Sequence, residues 1–115
     1  MSKLVIGIAA LALMNTAARS ETTVDQWIVL CSKGTSTAEH AACESYVRGV
    51  ADAVLAVQAT RPQLSASCIP AGATASDLVK LALPFAQGQP PASRQLMAAT
   101  LLMDVFREAF PCPRQ

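Results

Sequence analysis

Aromatic and charged side chains are scarce in this chain: one Trp, one Tyr and three Phe among 115 residues, with 15% charged. It has no polybasic run and no basic patch. Nucleic-acid binding and attachment to anionic membranes therefore lack their electrostatic footprint. Histidine occurs once, as His40, and no Cys-x-x-Cys pair is present. A structural zinc site wants paired Cys or His ligands at close spacing, and a dithiol redox centre wants that motif or an activated thiolate. Gly-rich phosphate loops, nucleophile elbows and metal motifs are also missing. No catalytic residue, metal ligand or cofactor is assigned, and the chain is expected not to be an enzyme. Sustained period-2 alternation is absent too, which argues against a sheet.

The first thing present is an export signal. Met1, Ser2 and Lys3 form a short basic start, followed by the apolar run Leu4 to Met14 and a small, polar stretch from Asn15 to Ser20. This is the layout of a secretory signal peptide, with Ala18 and Ser20 at the −3 and −1 positions and cleavage before Glu21. Cleavage after Ala18 is the competing site. A membrane span needs about 20 apolar residues, more than this run supplies. The expected organisation is a signal peptide over 1–20 and one domain over 21–115. Losing Lys3 and Arg19 turns a formal charge of +1 into −1. A domain of this size buries a limited core and gains much from cross-links.

Beyond the leader, periodicity and punctuation predict four helices. The first runs from about Thr23 to Cys31, capped by Thr22-x-x-Asp25, with Val24, Trp27, Ile28 and Cys31 on one face. After the turn at 32–35, Ser36-x-x-Glu39 resembles a capping box. It opens a helix to about Ala59 whose stripe is Cys43, Tyr46, Val47, Val50, Val54 and Val57. Residues 60–73 form a connection rich in Pro, Gly, Ser and Thr. A third helix starts near Thr74, capped by Asp77, and reaches Ala86 through Leu78, Leu81, Ala82 and Phe85. Pro84 is expected to bend or shorten its last turn. The fourth runs from about Ala92 to Phe110 with Leu96, Ala99, Met103, Phe106 and Phe110 as its stripe. The fold class is thus all-α, a small four-helix bundle with short loops favouring antiparallel neighbours.

Four cysteines, Cys31, Cys43, Cys68 and Cys112, lie past the signal. In an exported chain an even count is a disulfide framework. Cys31 ends the first helix and Cys43 lies near the start of the second, so a helical hairpin brings them to one end. Cys68 follows the second helix and Cys112 the fourth, which places both at the other end. The predicted pairs are Cys31–Cys43 and Cys68–Cys112. On loop-closure entropy the first contributes about 3 kcal/mol and the second about 4 kcal/mol. His40 is expected to be a solvated helix-surface residue. Asp104 and Glu108, with Arg107 alongside, are expected to form a solvated face.

The segment Cys43-Glu-Ser-Tyr46-Val-Arg-Gly49-Val-Ala-Asp52, then Cys68-Ile-Pro70, then Phe110-Pro111-Cys112, resembles the Tai/Rap family of type VI secretion amidase immunity proteins. The resemblance spans Cys31 to Cys112. It implies a small, periplasmic, disulfide-bearing helical protein that binds and inhibits a secreted peptidoglycan amidase, in many members as a homodimer. Structural roles are expected for its motif residues. Tyr46 packs in the bundle, Gly49 permits close helix approach and Asp52 bonds a loop backbone, while Pro70, Phe110 and Pro111 complete the motif. The connection at 58–67, with Arg61 and Gln63 projecting, is the candidate effector contact. Its alternative is a plain connector, and the 32–36 turn is a second candidate surface. The runner-up function is a periplasmic helical binding protein or acid-stress chaperone without an amidase partner. The few acidic residues and single His offer such a pH switch little.

Overall fold

Each helix of this bundle begins where a threonine side chain satisfies an otherwise orphaned backbone N–H, except the last. The computed structural model describes residues 21–113, and the expected leader at 1–20 lies outside them. Helix α1 spans Val24–Cys31. Thr23 Oγ1 accepts from the Gln26 N–H at 3.2 Å while the Gln26 side chain accepts from the Thr23 N–H at 3.0 Å. The cap therefore sits one residue past the expected Thr22, whose carbonyl instead accepts from the Ala98 N–H at 2.8 Å. Helix α2 spans Ala38–Thr60. Its cap is Thr37, not Ser36: the Thr37 hydroxyl accepts from the His40 N–H at 3.2 Å and donates to the Gly34 carbonyl at 2.7 Å, closing the turn. Helix α3, Ala75–Gln87, carries the predicted Thr74–Asp77 capping box. Pro84 lies in its last turn without ending it.

The fourth helix is shorter than periodicity suggests. Helix α4 covers Ala98–Ala109, and Ser93–Gln95 is a separate 3₁₀ turn. Leu96 and Met97 are extended (ψ 166° and 128°) because their backbone is engaged elsewhere. The Leu96 carbonyl accepts from the Val24 N–H at 2.9 Å, and Thr23 bridges Met97. Two long-range hydrogen bonds and the prolines at 90 and 91 thus override local helix preference. The neighbouring turn also anchors α1, since Gln95 Nε2 donates to Asp25 Oδ2 at 2.9 Å and Arg94 Nε lies 3.6 Å from Asp25 Oδ1.

Helix α2 is central and packs against the other three. Trp27, Phe106, Leu78, Leu102, Val24 and Val47 fill the core, and Trp27 Nε1 donates to the Cys43 carbonyl at 3.3 Å. Among the described residues no strand occurs beyond two isolated bridges, Thr23 to Met97 and Ser67 to Pro111. The disulfides are Cys31–Cys43 and Cys68–Cys112, with Cα separations of 5.1 and 4.9 Å. Helix ends had specified both pairs. The second bond closes a strap in which the Cys68 N–H also donates to the Phe110 carbonyl at 2.7 Å. The protein is a small four-helix bundle held by two disulfides.

Candidate functional site

Three of the four predicted apolar stripes are turned from the true core. On α2 the buried residues are Cys43, Val47 and Ala51, while Tyr46, Val50 and Val54 are half-buried and Val57 is 40% exposed. On α4 the core takes Ala98, Leu102, Val105 and Phe106, leaving Met103 at 53% exposed. On α3 it takes Leu78, Val79, Ala82 and Ala86, and Leu81 and Phe85 stay outside. The displaced edges of α2 and α4 converge. They form two walls of an open groove of about 770 Å³, and the segment Leu64 to Ser67 forms the third. Tyr46, Gly49, Ala53, Val57, Leu64, Ala99 and Met103 give it an apolar surface, with serine hydroxyls and Arg107 as the polar exceptions. Among the described residues no Asp or Glu lines it.

The third wall is fixed by the strap. The 3₁₀ turn Pro62–Leu64 follows α2 directly, and the Arg61 N–H caps that helix by donating to the Val57 carbonyl at 2.7 Å. The Leu64 N–H then donates to the Arg61 carbonyl at 2.9 Å. Gln58 secures the far side of the connection: its Oε1 accepts from the Ile69 N–H at 3.0 Å, and its Nε2 donates to the Ile69 carbonyl. Ser67 is buried and bridges Pro111, next to the Cys68–Cys112 bond. The connection is thus tied down at both ends, with its turn held outward.

The residues singled out from the sequence divide across this geometry. Arg61 and Gln63 are exposed in the turn at the groove's rim, and Leu64 beside them is 64% exposed. Tyr46 packs against the core and also edges the groove. Gly49 corrects an expectation. A Cβ built there meets nothing within 4 Å, so no neighbouring helix needs the glycine. Asp52 corrects another. It is exposed and lies 3.9 Å from Arg48, whereas the loop backbone is bonded by Arg48, from Nη2 to the Ala73 carbonyl at 3.3 Å. Pro70 is exposed and accepts from the Ala73 N–H, and Phe110 and Pro111 form the strap's anchor. Asp52, Pro70, Phe110 and Pro111 thus lie away from the groove's lining, whereas Tyr46 and Gly49 are part of it.

His40 is more enclosed than expected, with 15% side-chain exposure and Nε2 3.3 Å from Glu44 Oε1. Arg107 pairs with Asp104 on the surface of α4. No described residue is a free cysteine, so a thiol nucleophile is excluded there. Among the described residues no cluster of three or more His, Cys, Asp or Glu exists, and no helix is long and apolar enough to cross a membrane. The groove's shape and lining suit binding by burial. Sequence reasoning missed Leu64, Met103 and Val57 as surface residues. The signal was present: helices α2 and α4 carry wider apolar arcs than a small bundle can cover.

Comparison with known proteins agrees with this geometry. The family model for Rap1a immunity proteins matches residues 23–112, from the α1 cap to the second half of the closing disulfide. No curated protein and no solved structure matches the chain. The family match takes in all four helices, both disulfides and every wall of the groove: this chain belongs to the Rap1a immunity proteins.

Proposed function

We propose that this protein is a periplasmic immunity protein that binds and inhibits a peptidoglycan amidase delivered by type VI secretion. The observation that carries the reading is the family match across residues 23–112, which includes both disulfides. Disulfides persist in oxidising compartments such as the periplasm, where a cell-wall hydrolase meets its substrate. Inhibition by blockage is consistent with a surface that offers apolar contact and exposed turns. The turn Arg61 to Leu64, with Gln63 at its centre, enters the amidase cleft, and its tethering by Gln58 and the strap lowers the entropy cost of docking. Residues 1–20 are removed on export, and residues 21–115 act as the mature protein.

The test uses purified mature protein and the secreted peptidoglycan amidase encoded beside its gene. Stoichiometric addition is expected to stop release of soluble fragments from peptidoglycan, and periplasmic co-expression to rescue cells from the amidase. Undiminished hydrolysis at a tenfold molar excess would sink the reading. Alanine at 61–64 together is expected to weaken inhibition; unchanged inhibition would remove the turn from the interface.

A further inference from the structure

The two disulfides fasten different parts of this fold. Cys31–Cys43 joins the end of α1 to early α2, and both cysteines are buried in the core with Trp27. Cys68–Cys112 lies in no helix. It joins the connection after α2 to the segment after α4, and both of its cysteines are half-buried. Accessible disulfides exchange with thiols, while buried ones resist. Ser67, the chain neighbour of Cys68, lines the groove with Leu64, Ser65 and Ala66, so the groove's third wall ends at this bond.

What holds that wall is divided between α2 and α4. On the α2 side the Arg61 N–H caps the helix at Val57, and the Gln58 side chain bonds the Ile69 backbone twice. Ile69 itself is 2% exposed, and none of these contacts needs a cysteine. On the α4 side the links are the disulfide, the Cys68 N–H to Phe110 carbonyl bond at 2.7 Å, and the Ser67 to Pro111 bridge. Once the disulfide opens, both backbone contacts rest on the segment past α4, where Pro111 and Pro113 are exposed. Irregular segments with few buried contacts open locally unless they are tied down.

We propose that Cys68–Cys112 is a redox-operated latch on the groove. Thiol–disulfide exchange at this bond releases the third wall from α4 and leaves the four helices, with Cys31–Cys43 in their core, folded. The step passes two electrons. A thiolate of a reducing dithiol attacks one sulfur of the bond, and the second thiolate of that dithiol resolves the mixed disulfide. The dithiol becomes a disulfide, and its two protons end on Cys68 and Cys112. An oxidised carrier of the same class runs the exchange in reverse and closes the latch. Resting on the reading that the Arg61–Leu64 turn meets a secreted amidase, the latch confines inhibition to an oxidising compartment. A chain still in the reducing cytoplasm presents that turn without its tether to α4.

Hydrogen exchange followed residue by residue by NMR reads the latch on purified mature protein, with no amidase present. Three states are compared: the oxidised protein, the protein after mild reductant with its opened thiols alkylated, and the double variant Cys68→Ser with Cys112→Ser. In both opened states the amide at position 68, bonded to the Phe110 carbonyl, should exchange at least about tenfold faster. The Ile69 amide, bonded to Gln58, and the α2 amides around Val47 should keep their protection. Inhibition of the amidase encoded beside the gene should be about tenfold weaker in the opened states, the size of the ordering cost of an immobilised side chain. Reoxidation of protein reduced but not alkylated should restore it. Unchanged exchange at position 68 in both opened states would overturn the proposal. So would loss of the Trp27 near-ultraviolet signal in both, since the bond would then hold the whole fold and not one wall. Inhibition as strong with the latch open as with it closed would overturn its link to binding. Failure of the oxidised protein to inhibit the amidase would instead fall on the functional reading, with exchange at position 68 still deciding the latch.

Discussion

Removing each disulfide in turn separates two sources of stability that the fold distributes unequally. Cys68–Cys112 closes a 44-residue separation and Cys31–Cys43 one of 12. Loop-closure entropy alone ranks the longer first, at about 4 kcal/mol against about 3 kcal/mol. Burial reverses the order. Cys31 and Cys43 are 6% and 0% exposed and lie in the core beside Trp27, whereas Cys68 and Cys112 are only half-buried. Replacing a buried sulfur by hydrogen leaves a small void costing about 1 kcal/mol at each site, as deletion of one methylene does. Cys31→Ala with Cys43→Ala should therefore cost about 5 kcal/mol, and Cys68→Ala with Cys112→Ala about 4 kcal/mol. Set against a typical net stability of about 5–15 kcal/mol, either loss is large. Urea titration followed by circular dichroism gives both values by linear extrapolation. A second measurement covers the case in which a variant does not fold. Under mild reductant, alkylation and peptide mass should show Cys68 and Cys112 labelled first, with Cys31 and Cys43 labelled only on global unfolding. A cost below about 1 kcal/mol for the Cys68–Cys112 deletion, or earlier reduction of the buried pair, would refute this ranking.

Further outcomes follow from individual contacts. Trp27→Phe removes the hydrogen bond to the Cys43 carbonyl and leaves a void in a fully buried site; a cost of about 2 kcal/mol is expected by circular dichroism. The Thr74 hydroxyl and backbone bond the Asp77 carboxylate, and with Lys80 nearby they hold its pKa below the ordinary value of 3.8. A depressed folded-state pKa contributes stability that is present above the unfolded value and is lost as pH falls through the folded one. The loss therefore begins as pH drops past about 4, and Thr74→Ala should move the Asp77 midpoint upward in an NMR titration. Leu64→Ser alters a 64% exposed side chain. It should leave stability within about 0.5 kcal/mol of the wild type while weakening amidase inhibition, checked by thermal melting and peptidoglycan hydrolysis.

How much was legible in the sequence depended on whether a signal was local. The Thr74–Asp77 cap is such a signal, because both partners lie within one helical turn. Thr23 and Thr37 were each missed by one residue, since adjacent threonines and serines offer the same chemistry and only the neighbouring backbone chooses between them. Residues 92–97 carry helical periodicity, yet the Leu96 carbonyl is claimed by Val24 and the Ala98 N–H by Thr22, partners about 70 residues away in sequence. Tyr46, Gly49 and the turn at Arg61 were singled out from their motif and loop. Their meeting in one groove with Met103 was not legible, because it requires the crossing of α2 and α4.

By itself the sequence determined the all-α class, the approximate helices, the family and both disulfide pairs. Those properties depend on short-range periodicity and on which helix end each cysteine occupies. Tertiary structure alone decided which apolar residues are core and which are surface. An apolar arc on α2 or α4 is wider than the neighbours packed on it, and a period of 3.6 marks the arc without marking the part left uncovered. The bundle buries Val47 and Leu102 and leaves Val57, Leu64 and Met103 facing an open groove around Gly49, because three shorter helices and a tethered strap cannot cover every apolar face of the long central α2.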